Sequence, residues 1–210
     1  AHAALALVRH TFHQELTGKA SNVPADLSFE RPLSPGVDVS GTYWLNAEGP
    51  LGVAAGARMY TASIDIGGEV QDHTGWTANL GVRYRGALNE VIGWFGLADV
   101  HRFGLPFVEY NNKKKTAALI APNSLWGLRL GGGFTVALDP VVLDGIAAYT
   151  ISSAGDARVG FGAAYPIVDK LSARLGVDLD FKGGSVEVGK AELDVTEQET
   201  ALTIGVTYTP

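Results

Sequence analysis

An all-β protein, folded as an antiparallel up-and-down transmembrane β-barrel of ten strands, is what the sequence predicts, and three observations predict it. Apolar and polar residues alternate with a period of two in segment after segment, as in a strand with a different solvent on each face. The chain is apolar on average, with 46% hydrophobic residues, a further 27 glycines in 210 and only 18% charged residues, against about 25% charged in ordinary soluble domains. It nevertheless contains no continuous apolar run of about 18 residues that could form a membrane helix. The connections between the alternating segments are short at one end and mostly longer at the other, which is the layout of an outer-membrane barrel.

The N-terminal segment "AALALVRHTFHQEL" is read as the first strand, and residues 1–36 as that strand and a long loop. Residues 37–46 and 51–64 follow as less regular strands, the second interrupted by Gly52 and Gly56, which loosen its register. In "GWTANLGVRYRG" Trp76, Ala78, Leu80, Val82 and Tyr84 share one face, opposite Thr77, Asn79, Gly81, Arg83 and Arg85. Residues 91–100 form the fifth strand. The sixth sets Trp126, Leu128, Leu130, Phe134, Val136 and Leu138 against Gly127, Arg129, Gly131, Gly133, Thr135 and Ala137. "VVLDGIAAYTI" and "ARVGFGAAYP" alternate likewise, and "LSARLGVDLDFK" is the cleanest case. "TALTIGVTY" closes the series. Short connections fall at 46–50, 86–89, 139–140 and 166–170, and longer ones at 17–36, 67–75, 101–124, 152–156 and 183–199. The ten strands make one domain over 1–210, with eight as the fallback if the first two are outside the wall.

Alternation alone does not say which face points inward, because a small soluble barrel alternates too. Here the polar face is crowded with Gly, Ala, Ser and Thr beside Arg and Asp, which suits a narrow lumen. Trp76, Tyr84, Trp126, Tyr149, Tyr165, Phe181 and Tyr208 sit near the ends of apolar faces, where amphipathic rings form the two girdles of a membrane barrel. Strands of about ten residues fit a tilted crossing of the hydrocarbon layer. The apolar face is therefore read as lipid-facing.

With these residues in view, "YPIVDKLSARLGVDLDF" resembles the strand–turn–strand unit of Gram-negative outer-membrane β-barrels, of the small OmpA/OmpX-like or omptin-sized kind. "ALTIGVTYTP" is similar to their C-terminal strand, with Tyr208 as the terminal aromatic, although Thr209 and Pro210 follow it. The resemblance covers the scaffold from Val37 to Tyr208. It implies location in the Gram-negative outer membrane, with lipid and lipopolysaccharide as partners and other envelope proteins as further candidates.

Parity assigns Arg58, Arg83, Arg85, Arg129, Asp144, Arg158, Arg174, Asp178, Asp180 and Lys182 to the lumen. In a narrow barrel these groups would meet across the interior as guanidinium–carboxylate pairs. Six guanidinium groups face three carboxylates in this set, so the pairing is expected to be incomplete. One alternative is a water-filled pore with an arginine-rich wall. A second is a hydrolase at the rim, because "LADVHRF" offers Asp99-X-His101 and "VDLDF" offers Asp178-X-Asp180. These resemble the elements of the outer-membrane protease family, but in reversed chain order. A His beside a carboxylate can act as a general base.

Other features carry less. His10 and His13 are three apart, which is one side of a helix but opposite faces of a strand, so no metal site is expected. "NNKKKT" (111–116) would bridge lipopolysaccharide phosphates if it faces the cell exterior. Gly131-Gly132-Gly133 marks a bend or close approach in the wall rather than a phosphate loop. A net charge of −6 with no basic stripe excludes nucleic acid, and zero cysteines exclude disulfides and thiolate sites. The expectation is a non-enzymatic anchoring or interaction subunit with a side-chain-filled lumen and no cofactor.

Overall fold

Ten strands follow one another around a single ring, each antiparallel to its neighbours, and the ring closes between the first and the last. They are β1 (His2–Gly18), β2 (Asp26–Trp44), β3 (Leu51–Ile66), β4 (Glu69–Ala87), β5 (Ile92–Asn111), β6 (Thr116–Leu138), β7 (Val141–Ile151), β8 (Gly155–Val168), β9 (Leu171–Val188) and β10 (Ala191–Tyr208). The computed structural model describes the backbone of residues 2–18, 26–46, 48–66, 69–111, 116–188 and 191–210. It describes side chains for 3–9, 35–46, 48–61, 74–104, 125–184, 194 and 196–210. Lys113, Lys114 and Lys115 of the basic loop lie outside the described residues, as do the side chains of His10 and His13.

Closure comes from an unbroken register between β1 and β10, running from Ala3↔Tyr208 to Gly18↔Leu193. The first strand predicted from "AALALVRHTFHQEL" is thus part of the wall, and the eight-strand fallback does not apply. The connections β2–β3, β4–β5, β6–β7 and β8–β9 gather at one end, together with both chain ends. The two shortest are the two-residue turns Asp139–Pro140 and Asp169–Lys170, and Lys170 adopts a left-handed φ of 68°.

At the opposite end the strands run well past the predicted boundaries. The ladder of β3 and β4 continues to Ile66↔Glu69, that of β5 and β6 to Asn111↔Thr116 and that of β9 and β10 to Val188↔Ala191. The long loops expected at 17–36, 67–75, 101–124 and 183–199 are largely hairpin extensions. The physical reason is that backbone pairing continues once a hairpin is anchored, whether or not one face stays apolar. The apolar alternation that marked the strands in sequence ends earlier. Only β7 and β8 stop short, and their turn bends inward. Ala154 is buried against Gly184 of β9, where an added Cβ would stand 2.6 Å from the Ala154 Cβ.

The two faces of the wall differ as parity requires. Leu5, Leu7, Val39, Met59, Leu80, Leu130, Phe161, Leu175 and Ile204 all project outward and exposed, Leu7 at 70% and Ile204 at 65% of full accessibility. The inner face holds the buried polar residues other than Arg102, together with Phe103, Val8 and Ala201. Glycines on this face make room for large neighbours. A Cβ on Gly133 would stand 2.5 Å from the Phe95 ring and would also meet the Gly145 carbonyl. The outward Gly96 has nothing nearer than 3.9 Å. The triple glycine is therefore a close approach, as the sequence suggested. Gly133→Ala is expected to destabilise the folded barrel by about 1–3 kcal/mol through overpacking. Gly96→Ala should change it by no more than about 0.5 kcal/mol. Denaturant unfolding of the two variants side by side measures the contrast.

Candidate functional site

The inward faces of the strands bring most of the predicted polar residues into one axial series. At its centre Arg58 of β3 reaches across the lumen to β9, its Nη2 donating to Asp178 Oδ2 at 2.9 Å. Its Nε donates to Asp38 on the neighbouring β2, also at 2.9 Å, and Asp180 lies 3.8 Å from its Nη1. Arg158 approaches Asp178 from the other side, with Nη2 2.9 Å and Nε 3.2 Å from Oδ1. Two guanidinium groups and three carboxylates thus form a single buried cluster across the barrel. The inward Gly160 gives Asp178 its space, since a Cβ there would collide with the carboxylate.

Two forked pairs flank this cluster. Arg129 on β6 binds Asp99 on β5 in a fork, with Nε–Oδ1 3.0 Å and Nη2–Oδ2 2.7 Å. Arg174 on β9 binds both oxygens of Asp144 on β7, Nη2 to Oδ2 at 2.6 Å. Gly162 lies between these two strands, where a Cβ would stand 2.9 Å from Asp144 Oδ1. Two parallel charge-assisted hydrogen bonds fix orientation as well as energy.

Towards the long hairpins Lys182 donates to Glu197 at 2.7 Å and Glu199 at 3.1 Å, all three buried. Nearby, His101 Nε2 lies 3.3 Å from Asp156 Oδ2, which also accepts a hydrogen bond from Thr150 at 3.1 Å. The His101 ring stacks on Phe103 with centroids 5.7 Å apart. Towards the short turns, Arg83 has no carboxylate partner among the described residues. Arg83 lies over the Phe95 ring at 5.3 Å. Arg85 lies 4.0 Å over the Trp44 ring and donates to the Gly49 carbonyl at 3.2 Å.

Relative to the sequence reading, Arg58, Arg158, Asp178 and Asp180 are brought together, as are Arg129, Arg174, Asp144 and Lys182 with partners. The charge shortfall that reading anticipated is filled by groups it did not assign to the lumen: Asp38, Asp99, Asp156, Glu197 and Glu199. Each is buried or half-buried on the inner face. Parity would have found Asp38, two positions from Ser40 and four from Thr42, and Asp99 beside Phe95 and Leu97. The Asp99-X-His101 unit does not act as a pair. Asp99 is held by Arg129, and the carboxylate beside His101 comes from β8.

Trp76, Tyr84, Trp126, Tyr149, Tyr165, Phe181 and Tyr208 all stand exposed on the outer wall. Tyr43 and Trp94 join them, the latter 5.8 Å from Tyr84. Trp76 and Trp126 flank Arg102, which projects outward. Its guanidinium lies 3.0 Å from the Trp76 ring centroid and donates to the Trp76 carbonyl.

Among solved structures, the outer membrane protease OmpT of Escherichia coli aligns over 100% of this chain and 96% of its own, with a TM-score of 0.63 and 8% identity. The fold is that of an outer-membrane β-barrel. The beta domain of the Bordetella autotransporter BrkA aligns over 99% of this chain and 100% of its own, at 14% identity and a TM-score of 0.48. A Pseudomonas aeruginosa FadL homologue aligns over 99% and 90%, at 10% identity and 0.44. No protein-family model and no curated protein sequence matches the chain.

Removing one partner of a buried pair leaves an uncompensated charge, whereas removing both leaves none. Arg129→Met is expected to cost about 3–5 kcal/mol because Asp99 stays behind. The double variant Arg129→Met/Asp99→Leu should recover most of that loss. Urea unfolding of both variants completes the comparison.

Proposed function

We propose that this chain is an integral protein of the Gram-negative outer membrane that serves as an anchoring or interaction subunit, with a lumen sealed by its own side chains. The observation that carries the reading is the cross-lumen cluster of Arg58, Arg158, Asp38, Asp178 and Asp180. A charge held by two or three counter-charges from opposite walls is a plug rather than a pore lining. The outer wall supports the membrane assignment, since its exposed residues are apolar along the strands and aromatic near their ends. In that orientation the short turns face the periplasm and the long hairpins face outward. Lipid and lipopolysaccharide would surround the wall, and other envelope proteins would meet the hairpins.

The passive channel is the second reading, and conductance separates the two. In planar bilayers the native barrel should give no unitary current steps. Sustained open steps at modest voltage would overturn the seal. The rim hydrolase is less well supported. OmpT is named a protease, but at 8% identity the likeness extends to the fold alone. In this chain Asp178 and Asp180, which would have to hold a water, are engaged by Arg58 and Arg158. His101→Ala should leave any peptide hydrolysis by purified material unchanged.

The orientation of the two faces has its own test. Leu175 is exposed near the middle of the outward apolar run Leu171, Ala173, Leu175, Val177, Leu179, Phe181 of β9. Leu175→Arg should reduce stability in phospholipid vesicles by about 2–4 kcal/mol, the usual cost of a cation near the bilayer midplane. Equilibrium unfolding from vesicles provides the measurement.

A further inference from the structure

We infer that the short-turn half of the lumen contains a binding site for a small oxyanion, centred on Arg83. Every other guanidinium of the central series is held by carboxylate: Arg58 and Arg158 by the cross-lumen cluster, Arg129 by Asp99 and Arg174 by Asp144. Arg83 is different. Among the described residues it makes one contact, with the face of Phe95, and that contact leaves all of its N–H groups without an acceptor. The two carboxylates whose charge reaches it are Asp99 and Asp144, and each is already bonded through both oxygens to another arginine.

The surroundings favour an anion. Arg129 and Arg158 add positive potential at Arg83 from the inner side. Arg85 stands two positions along the same face of β4, nearer the mouth. Asp156, Glu197 and Glu199 lie toward the long hairpins, and Asp144, on the short-turn side, is already held by Arg174. Arg83 is half-buried, so its guanidinium is reached by solvent from the lumen rather than enclosed. Phe95 holds the guanidinium plane from one side, and Gly133 gives that ring its place. A planar donor fork, fixed on one face and open at its edge, is the geometry that receives a carboxylate or phosphate oxygen pair. On the sealed-lumen reading proposed above, the Arg58 cluster closes the lumen beyond it, and the site is a blind vestibule and not a step in a conduction path.

The inference goes beyond the anchoring role and does not require it, since the folded barrel in uncharged detergent is sufficient for the test. Calorimetric titration with inorganic phosphate, and separately with acetate at matched ionic strength, should give saturable binding of at least one. Arg83→Gln should weaken it by about tenfold or more, Arg83→Lys by less, and Arg102→Gln on the outer wall should leave it unchanged. Should Arg83→Gln fail to fold, the native protein still answers. The bound anion should protect Arg83 from phenylglyoxal, read by mass spectrometry of the digested chain. Absence of saturable binding by both anions, equal affinity in folded Arg83→Gln, or unprotected Arg83 would each overturn the site.

Discussion

The antiparallel pairing of β1 with β10 leaves no strand with a free edge, and the remaining features follow from that closure. An open sheet with this composition would present two unpaired backbone rows and an outer face of exposed Leu, Val, Ile and aromatic side chains. Closed, every strand has two neighbours, and period-two alternation sorts side chains into an inner and an outer set without exception for the charged clusters. Six arginines and their acids are thereby forced into one narrow space. Burial of so many charges is tolerable only if they meet, and the positions of the glycines allow them to do so.

That requirement explains an otherwise odd feature of the sequence, the density of glycine on the polar face. Gly160 and Gly162 stand where Asp178 and the Arg174–Asp144 pair need volume, and Gly133 stands under Phe95. Small residues in this wall are not gaps in the packing. They are the complement of large side chains rooted on adjacent strands. The ion pairs and the glycines fit one another, since a Cβ at Gly160 or Gly162 would meet the charged groups themselves.

The scaffold was legible in the sequence because alternation is a local signal. Ten strands, their order and the facing of most described side chains from Val37 to Tyr208 follow from parity. Strand ends were less legible, since hairpins such as β5–β6 extend beyond the apolar band and backbone pairing leaves no mark in hydropathy. The lumen was partly legible. Parity places Arg58 and Asp178 on the inner face, but whether they meet depends on register across strands 120 positions apart in the chain. Partners such as Glu197 and Glu199 lay in a stretch read as loop. The pairing of His101 with Asp156 rather than Asp99 could not be read from spacing, because neighbours on one strand face compete with residues arriving from other strands.

The inward-bent turn between β7 and β8 has one more consequence. β7 has 11 residues and β6 has 23, so the rim drops by roughly 40 Å of chain contour on that side. The cylinder therefore has a front and a back. Rotating it about its own axis changes the profile offered to the medium above, and a neighbour lodged against the low side would be held in one angular position.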